Sequence, residues 1–293
     1  MKGEEHLWGV LNEKLETLRA TNQMAEAIRV GQSALEIAKR SFGARDIRLA
    51  QSYEKLGLLL EQNGDRSGAK NYLVNGHRIL AALEPVNGQA LFHSSRRLGQ
   101  LCNELGQTEE AIGFYEQAIA AAPQVPELPF SDLGSLLNNL ALLCRKAGRT
   151  KTAEPYYLRA LEIYETHLGP EHPDVASVLN NLGVFYTNEK RFSEAEQIHL
   201  RALGIREKAF PSNHPDIAQS KCNLAVVYHS RGEYERASEL YRASLQTWEE
   251  ATAQPPEEYE VVAANYADLL RALGKARKAH ALETRARKKR RGG

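Results

Sequence analysis

Residues 177–185 read S-V-L-N-N-L-G-V-F, and residues 135–143, 42 positions earlier, read S-L-L-N-N-L-A-L-L. Asparagine is a poor residue for a helix interior, because its short amide competes for backbone hydrogen bonds. Two of them inside an apolar run, twice at one spacing, indicate duplication. The register extends outward from there. Alanine occupies positions 27, 69, 111, 153, 195, 237 and 279, each 42 residues apart. A second small residue follows seven positions later, as Ala34, Gly76, Ala118, Ala160, Ala202, Ser244 and Ala286. A bulky residue precedes the alanine by nine, as Leu18, Leu60, Cys102, Cys144, Tyr186, Tyr228 and Leu270. A fixed period of this length is the signature of a repeat array.

Each repeat reads as two helices. Leu133, Leu136, Leu137, Leu140, Leu143 and Cys144 recur at helical spacing. Ala147, Gly148 and Arg149 end that helix, and Gly64, Gly106, Gly232 and Gly274 mark the same turn elsewhere, with Lys190 in one copy. A second stripe runs through Ala153, Tyr157, Ala160, Leu161 and Tyr164 and closes at Gly169-Pro170. Small side chains let two helix axes approach, and Tyr115, Tyr157 and Tyr241 wedge between neighbours. Asp132, Asp174 and Asp216 fall one period apart just before a first helix, where a carboxylate can cap free N–H groups. One helix pair cannot bury its own apolar face, so the pairs must stack.

The chain has 293 residues, 42% apolar and 26% charged. That is the composition of a soluble folded protein. No run of 18 apolar residues offers a membrane span, and the opening M-K-G-E-E-H-L-W-G lacks the form of a secretory signal. Cys102, Cys144 and Cys222 form no C-x-x-C pair, which suits a reducing compartment and a cytoplasmic location. Cys102 and Cys144 occupy the bulky framework position and read as buried, while Cys222, beside Asn223, reads as more accessible than they are but still as a packing residue. From Lys275 onward nine Lys or Arg and one Glu give +8, set against −7 for the rest of the chain.

The framework Leu182, Gly183, Tyr186, Lys190, Ala195, His199 and Ala202 resembles the tetratricopeptide repeat, with Lys190 and His199 standing where the family has glycine and an aromatic. The 42-residue period and the connector L-G-P-E-H-P-D-V-A, residues 168–176, are similar to the repeats of the kinesin light chain family. The likeness is clearest over residues 131–245. It implies an all-α fold, an α-α superhelix (solenoid) of about seven hairpins, over residues 1–284. The approximate repeats are 6–47, 48–89, 90–131, 132–173, 174–215, 216–257 and 258–287, with 285–293 a basic C-terminal tail. The first repeat begins almost at Met1, so the coiled coil of kinesin light chains is not expected. The resemblance also implies a non-catalytic adaptor that binds a protein or extended peptide along a concave surface lined by first helices.

Asn181 precedes Leu182 by one and is turned about 100° from the helix–helix seam. The position recurs as Asn139, Asn223 and Asn265, with Asn138 and Asn180 alongside two of them and Asn188 two turns beyond Asn181. A column of amides can bond the backbone of an extended ligand without reading its side chains. Contacts between adjacent repeats are the alternative use. The same position holds Arg97 and Lys55 in earlier repeats. With Arg96, Arg145 and Lys146 these form a basic patch suited to acidic residues in a bound peptide. No catalytic, metal-binding or phosphate-binding motif occurs, and no cofactor is expected. His172 and His214 repeat within H-P-D connectors and read as structural. Two other functions are open: binding of nucleic acid or another anionic surface through the basic tail, and structural self-assembly of the array. Nucleic acid is disfavoured because no reading module accompanies the tail.

Overall fold

The computed structural model describes residues 2–252 and 255–290. Among them there is no strand, and fourteen α-helices follow one another as seven pairs along the chain. They are α1 (Lys2–Ala20), α2 (Met24–Ser41), α3 (Ile47–Gln62), α4 (Arg66–Ala81), α5 (Gly88–Glu104), α6 (Thr108–Ala121), α7 (Phe130–Lys146), α8 (Thr150–Leu168), α9 (Pro173–Asn188), α10 (Phe192–Ala209), α11 (Pro215–Ser230), α12 (Tyr234–Ala251), α13 (Glu257–Ala272) and α14 (Ala276–Arg290). A single 3-10 turn, Ala122–Gln124, follows α6. The expected all-α array of about seven helical hairpins is the observed fold class.

The helices divide into two compact units, one up to Gly148 and one from Arg149. In the first, α1 to α6 form three hairpins, each packed on the next, and α7 packs on α6. In the second, α8 packs on α9, and α9 to α14 form three further hairpins. The small residues of the register sit where the helices meet. All seven framework alanines, from Ala27 to Ala279, are fully buried. At Gly183 a Cβ would lie 2.5 Å from the His199 ring, and at Gly99 one would lie 2.4 Å from the Tyr115 ring. A side chain at either position would drive the paired helices apart.

The turn inside each hairpin has one construction. The backbone at Gly64, Gly106, Gly148, Gly232 and Gly274 is left-handed, and Asn22 and Lys190 take the same conformation at φ 58° and 60°. At the six turns other than that of Gly148, the following residue donates its N–H to the carbonyl of the bulky framework position, as in Asp65 to Leu60 and Arg191 to Tyr186, both at 2.9 Å. Such a bond closes a Schellman motif.

The capping expectation at the connectors is corrected. His172 and His214, not the aspartates, cap α9 and α11: their Nδ1 atoms accept the N–H of Asp174 and Asp216 at 3.2 and 3.1 Å. Pro173 and Pro215 then occupy the first helical position, where a missing N–H is harmless. Asp132, Asp174 and Asp216 lie within the first turn, where a negative charge suits the helix dipole. All three cysteines are free and buried, and Cys222 is only 2% exposed. Helix α14 continues to Arg290, so residues 285–290 of the basic segment are helical, while 291–293 lie outside the described residues.

Candidate functional site

In the first unit, α5 carries Arg96, Gln100 and Asn103 at steps of four and three, so they share one side of the helix. On α7, Ser135, Asn139, Leu142 and Lys146 follow the same rule. The two rows line a cavity of about 450 Å³, which also takes in Tyr115 and Asp132. Asn139 and Lys146 are exposed. Lys146 makes no ion pair among the described residues, whereas Arg96 donates to the Asp132 carboxylate at 2.9 Å.

The other cations of the expected patch are placed differently. Arg97 is not part of this lining; its Nε and Nη2 donate to Glu61 Oε2 at 3.0 and 2.7 Å. Lys55 pairs with Glu16 at 3.2 Å. Arg145 is half-buried, and its Nε has no hydrogen-bond partner. In the first unit, then, ion pairs link successive first helices: Glu16 to Lys55, Glu61 to Arg97, and Arg96 to Asp132. Each is partly solvated and contributes at most about 1 kcal/mol. They neutralise Arg96, Arg97 and Lys55, and leave Lys146 and the half-buried Arg145 as the patch cations without an ion pair among the described residues.

In the second unit the corresponding face is joined by amides. Asn223 Nδ2 on α11 donates to Asn180 Oδ1 on α9 at 2.6 Å, and Gln219 donates to Asn223 Oδ1 at 2.9 Å. Asn265 on α13 hydrogen-bonds the Cys222 thiol, an effect outweighed by burial, which pushes that thiol up to about 11. Asn138 and Asn181 are half-buried, and each already interacts with other groups of the protein. Asn188 is exposed as the last residue of α9.

The bonded positions are 180 with 223 and 222 with 265, one residue out of the 42-residue column. The reason is geometric. A side chain reaching across a seam must meet one on the facing flank of the next helix, and the two flanks of a helix belong to adjacent residues about 100° apart. Sequence register alone groups equivalent residues rather than touching ones. It also passed over Gln100 and Asn103, although their spacing from Arg96 would have revealed them.

Comparison with known proteins defines the family. Models described as tetratricopeptide repeat match residues 132–208, 174–250 and 97–125. The chain is a tetratricopeptide repeat (TPR) protein, built on an all-helical scaffold. No curated protein sequence matches it. Among solved structures, BtubC (BKLC) from P. vanneervenii is 27% identical, with 81% of this chain and 94% of that one covered at a TM-score of 0.60. The apo quorum sensor NprR from B. thuringiensis is 16% identical, with 99% and 78% covered at 0.62. YrrB, a TPR protein with an unusual peptide-binding site, is 17% identical, with 72% and 90% covered at 0.51. The last two establish the shared fold alone. Among the described residues of this TPR chain, no group of three or more His, Cys, Asp or Glu could hold a metal, and no helix is long and apolar enough to cross a membrane.

Proposed function

We propose that this TPR protein is an adaptor that binds an extended segment of a partner protein on the first-helix face, in the cytoplasm. The observation that carries the reading is the α5–α7 cavity, whose lining includes Arg96, Asn139 and Lys146. The exposed amides of Asn103 and Asn139 have donors and acceptors for a ligand backbone. Lys146 supplies an unpaired cation for an acidic residue of that segment. Arg97, Arg145 and Asn138 extend the face within the first unit, and Asn180, Asn181, Asn188, Asn223 and Asn265 belong to the first helices of the second, where Asn223 bonds Asn180. The 42-residue period and the two H-P-D connectors support repeats of the kinesin light chain type.

The test is recovery of a partner with the full chain, followed by calorimetric titration of its segment. Asn139→Ala should weaken binding roughly 5- to 150-fold, the equivalent of about 1–3 kcal/mol for an unreplaced hydrogen bond. Because Asn139 is exposed, thermal stability should hold. Lys146→Glu should weaken acidic segments more than neutral ones. Unchanged affinity in both variants refutes the site.

A second reading is favoured by α14, where Arg277, Arg287 and Lys288 are exposed and make no ion pair among the described residues. These cations could engage an anionic surface. Arg287→Gln with Lys288→Gln would then abolish a strongly salt-dependent interaction that Lys146→Glu leaves intact.

A further inference from the structure

Two consecutive seams of the second unit carry the same polar clasp. At the first, Tyr186 Oη donates to Glu154 Oε1 at 2.9 Å and Arg191 donates to Glu154 Oε2 at 2.8 Å. The Arg191 guanidinium also lies 4.2 Å from the centre of the Tyr186 ring. At the second seam, 42 residues on, Tyr228 Oη donates to Glu196 Oε1 at 2.7 Å and Arg231 pairs with the same carboxylate. Here Arg236 lies 4.2 Å from the Tyr228 ring centre. A carboxylate on the second helix thus meets a phenol and a guanidinium from the next hairpin.

At the third seam the register holds Ser238 in place of the glutamate and Leu270 in place of the tyrosine. Lys275 stands in the register of Arg191 and Lys278 in that of Arg236, whereas Leu273 replaces Arg231, the second seam's carboxylate partner. Neither lysine makes an ion pair among the described residues. Where the glutamate and tyrosine would sit there is a cavity of about 700 Å³, lined by Ser238, Leu270, Lys275 and Lys278 among others.

We infer that this cavity binds a single carboxylate side chain, the glutamate or aspartate of a partner's extended segment, in place of the missing internal one. Lys275 and Lys278 supply the charge, and the Ser238 hydroxyl supplies a hydrogen-bond donor. Leu270, Leu273 and Tyr266, which share the lining, take an apolar side chain next to the acid. The α12 wall limits the choice. Glu233 is neutralised by Arg231 and Arg236, and Arg242 also lines this wall, but the two carboxylates of Glu235 and Glu239 outnumber it and repel a second negative charge. The ligand is therefore one acidic residue flanked by apolar ones, not a polyacidic run.

The experiment titrates the isotope-labelled full chain with the blocked peptide Leu-Glu-Leu and, separately, with Leu-Gln-Leu, following backbone amide resonances. The glutamate peptide should shift Ser238, Lys275 and Lys278, with the glutamine peptide at least roughly tenfold weaker, as loss of one charge-assisted contact requires. Lys275→Ala should weaken the glutamate peptide to the same degree. Ser238→Glu should abolish its binding by restoring the internal carboxylate, and should raise the unfolding midpoint. Lys146→Glu should leave this site unchanged, which separates it from the α5–α7 cavity. Equal shifts from the two peptides, no shift at millimolar concentration, or undiminished binding to folded Ser238→Glu would overturn the assignment. If Ser238→Glu does not fold, Lys275→Ala decides alone.

Discussion

At residue scale, the departures from the repeat pattern are informative. Lys190 occupies the left-handed turn position that glycine holds in five other copies. A side chain there costs roughly 1–2 kcal/mol, which glycine avoids. Lys190→Gly should therefore raise the urea midpoint by the equivalent of about 1 kcal/mol, with no change in helix content. His199 stands where three other copies have Tyr115, Tyr157 and Tyr241. It is 1% exposed, and burial pushes its pKa down from 6.5 to about 4. The unfolded chain then takes up a proton before the folded one does. The stability contributed by neutral His199 is fully present above pH 6.5, declines between pH 6.5 and about 4, and is constant below. Its loss should reach about 2 kcal/mol by pH 5. In His199→Phe the fall in urea midpoint between pH 7 and pH 5 should be smaller. A remaining slope is expected from His77 and His229, which burial also lowers.

At element scale, each hairpin depends on close approach at its alanine. Ala195 of α10 is fully buried, in the seam where Gly183 of α9 lies against the His199 ring. Ala195→Leu should overpack this seam and cost about 1–3 kcal/mol, read as a lower unfolding midpoint. The helices are unequal in what they bury. Helix α9 buries eight residues, whereas α14 buries only Ala279 and Ala286. Pairs from Arg285 and Lys289 to Glu249, at 2.8 and 2.9 Å, also hold α14, but they are partly exposed and add little.

At the scale of the whole molecule, neighbouring repeats support one another, and local stability follows what each element buries. Amide hydrogen exchange should therefore be fastest, among the fourteen helices, in α14, and should be slow in α9 and α11. Added salt should speed exchange in α14 further by screening its pairs to Glu249 and Glu260. Equal protection of α14 and α9 would contradict the burial argument.

The 42-residue recurrence of Ala195 and its equivalents determined the hairpin repeat, because close helix packing imposes a local, periodic demand that a single sequence displays. The same holds for the turn at Gly232 and for the pairing of a first with a second helix. The sequence also placed Arg96, Asn139 and Lys146 on related helix faces. What it could not determine was which side chains meet across a seam. Asn223 bonds Asn180 rather than its register partner Asn181, and Arg97 bonds Glu61, 36 residues away. Those choices depend on how one helix flank faces the next, a property of two packed helices and of neither alone. The His172 and His214 caps were hidden for a similar reason, since a backbone N–H takes whichever acceptor the connector's fold brings within reach. The third-seam cavity joins both kinds of information. The exchanges to Ser238 and Leu270 are legible in the register, but that they leave open space beside two unpaired lysines is decided only when α12, α13 and α14 come together.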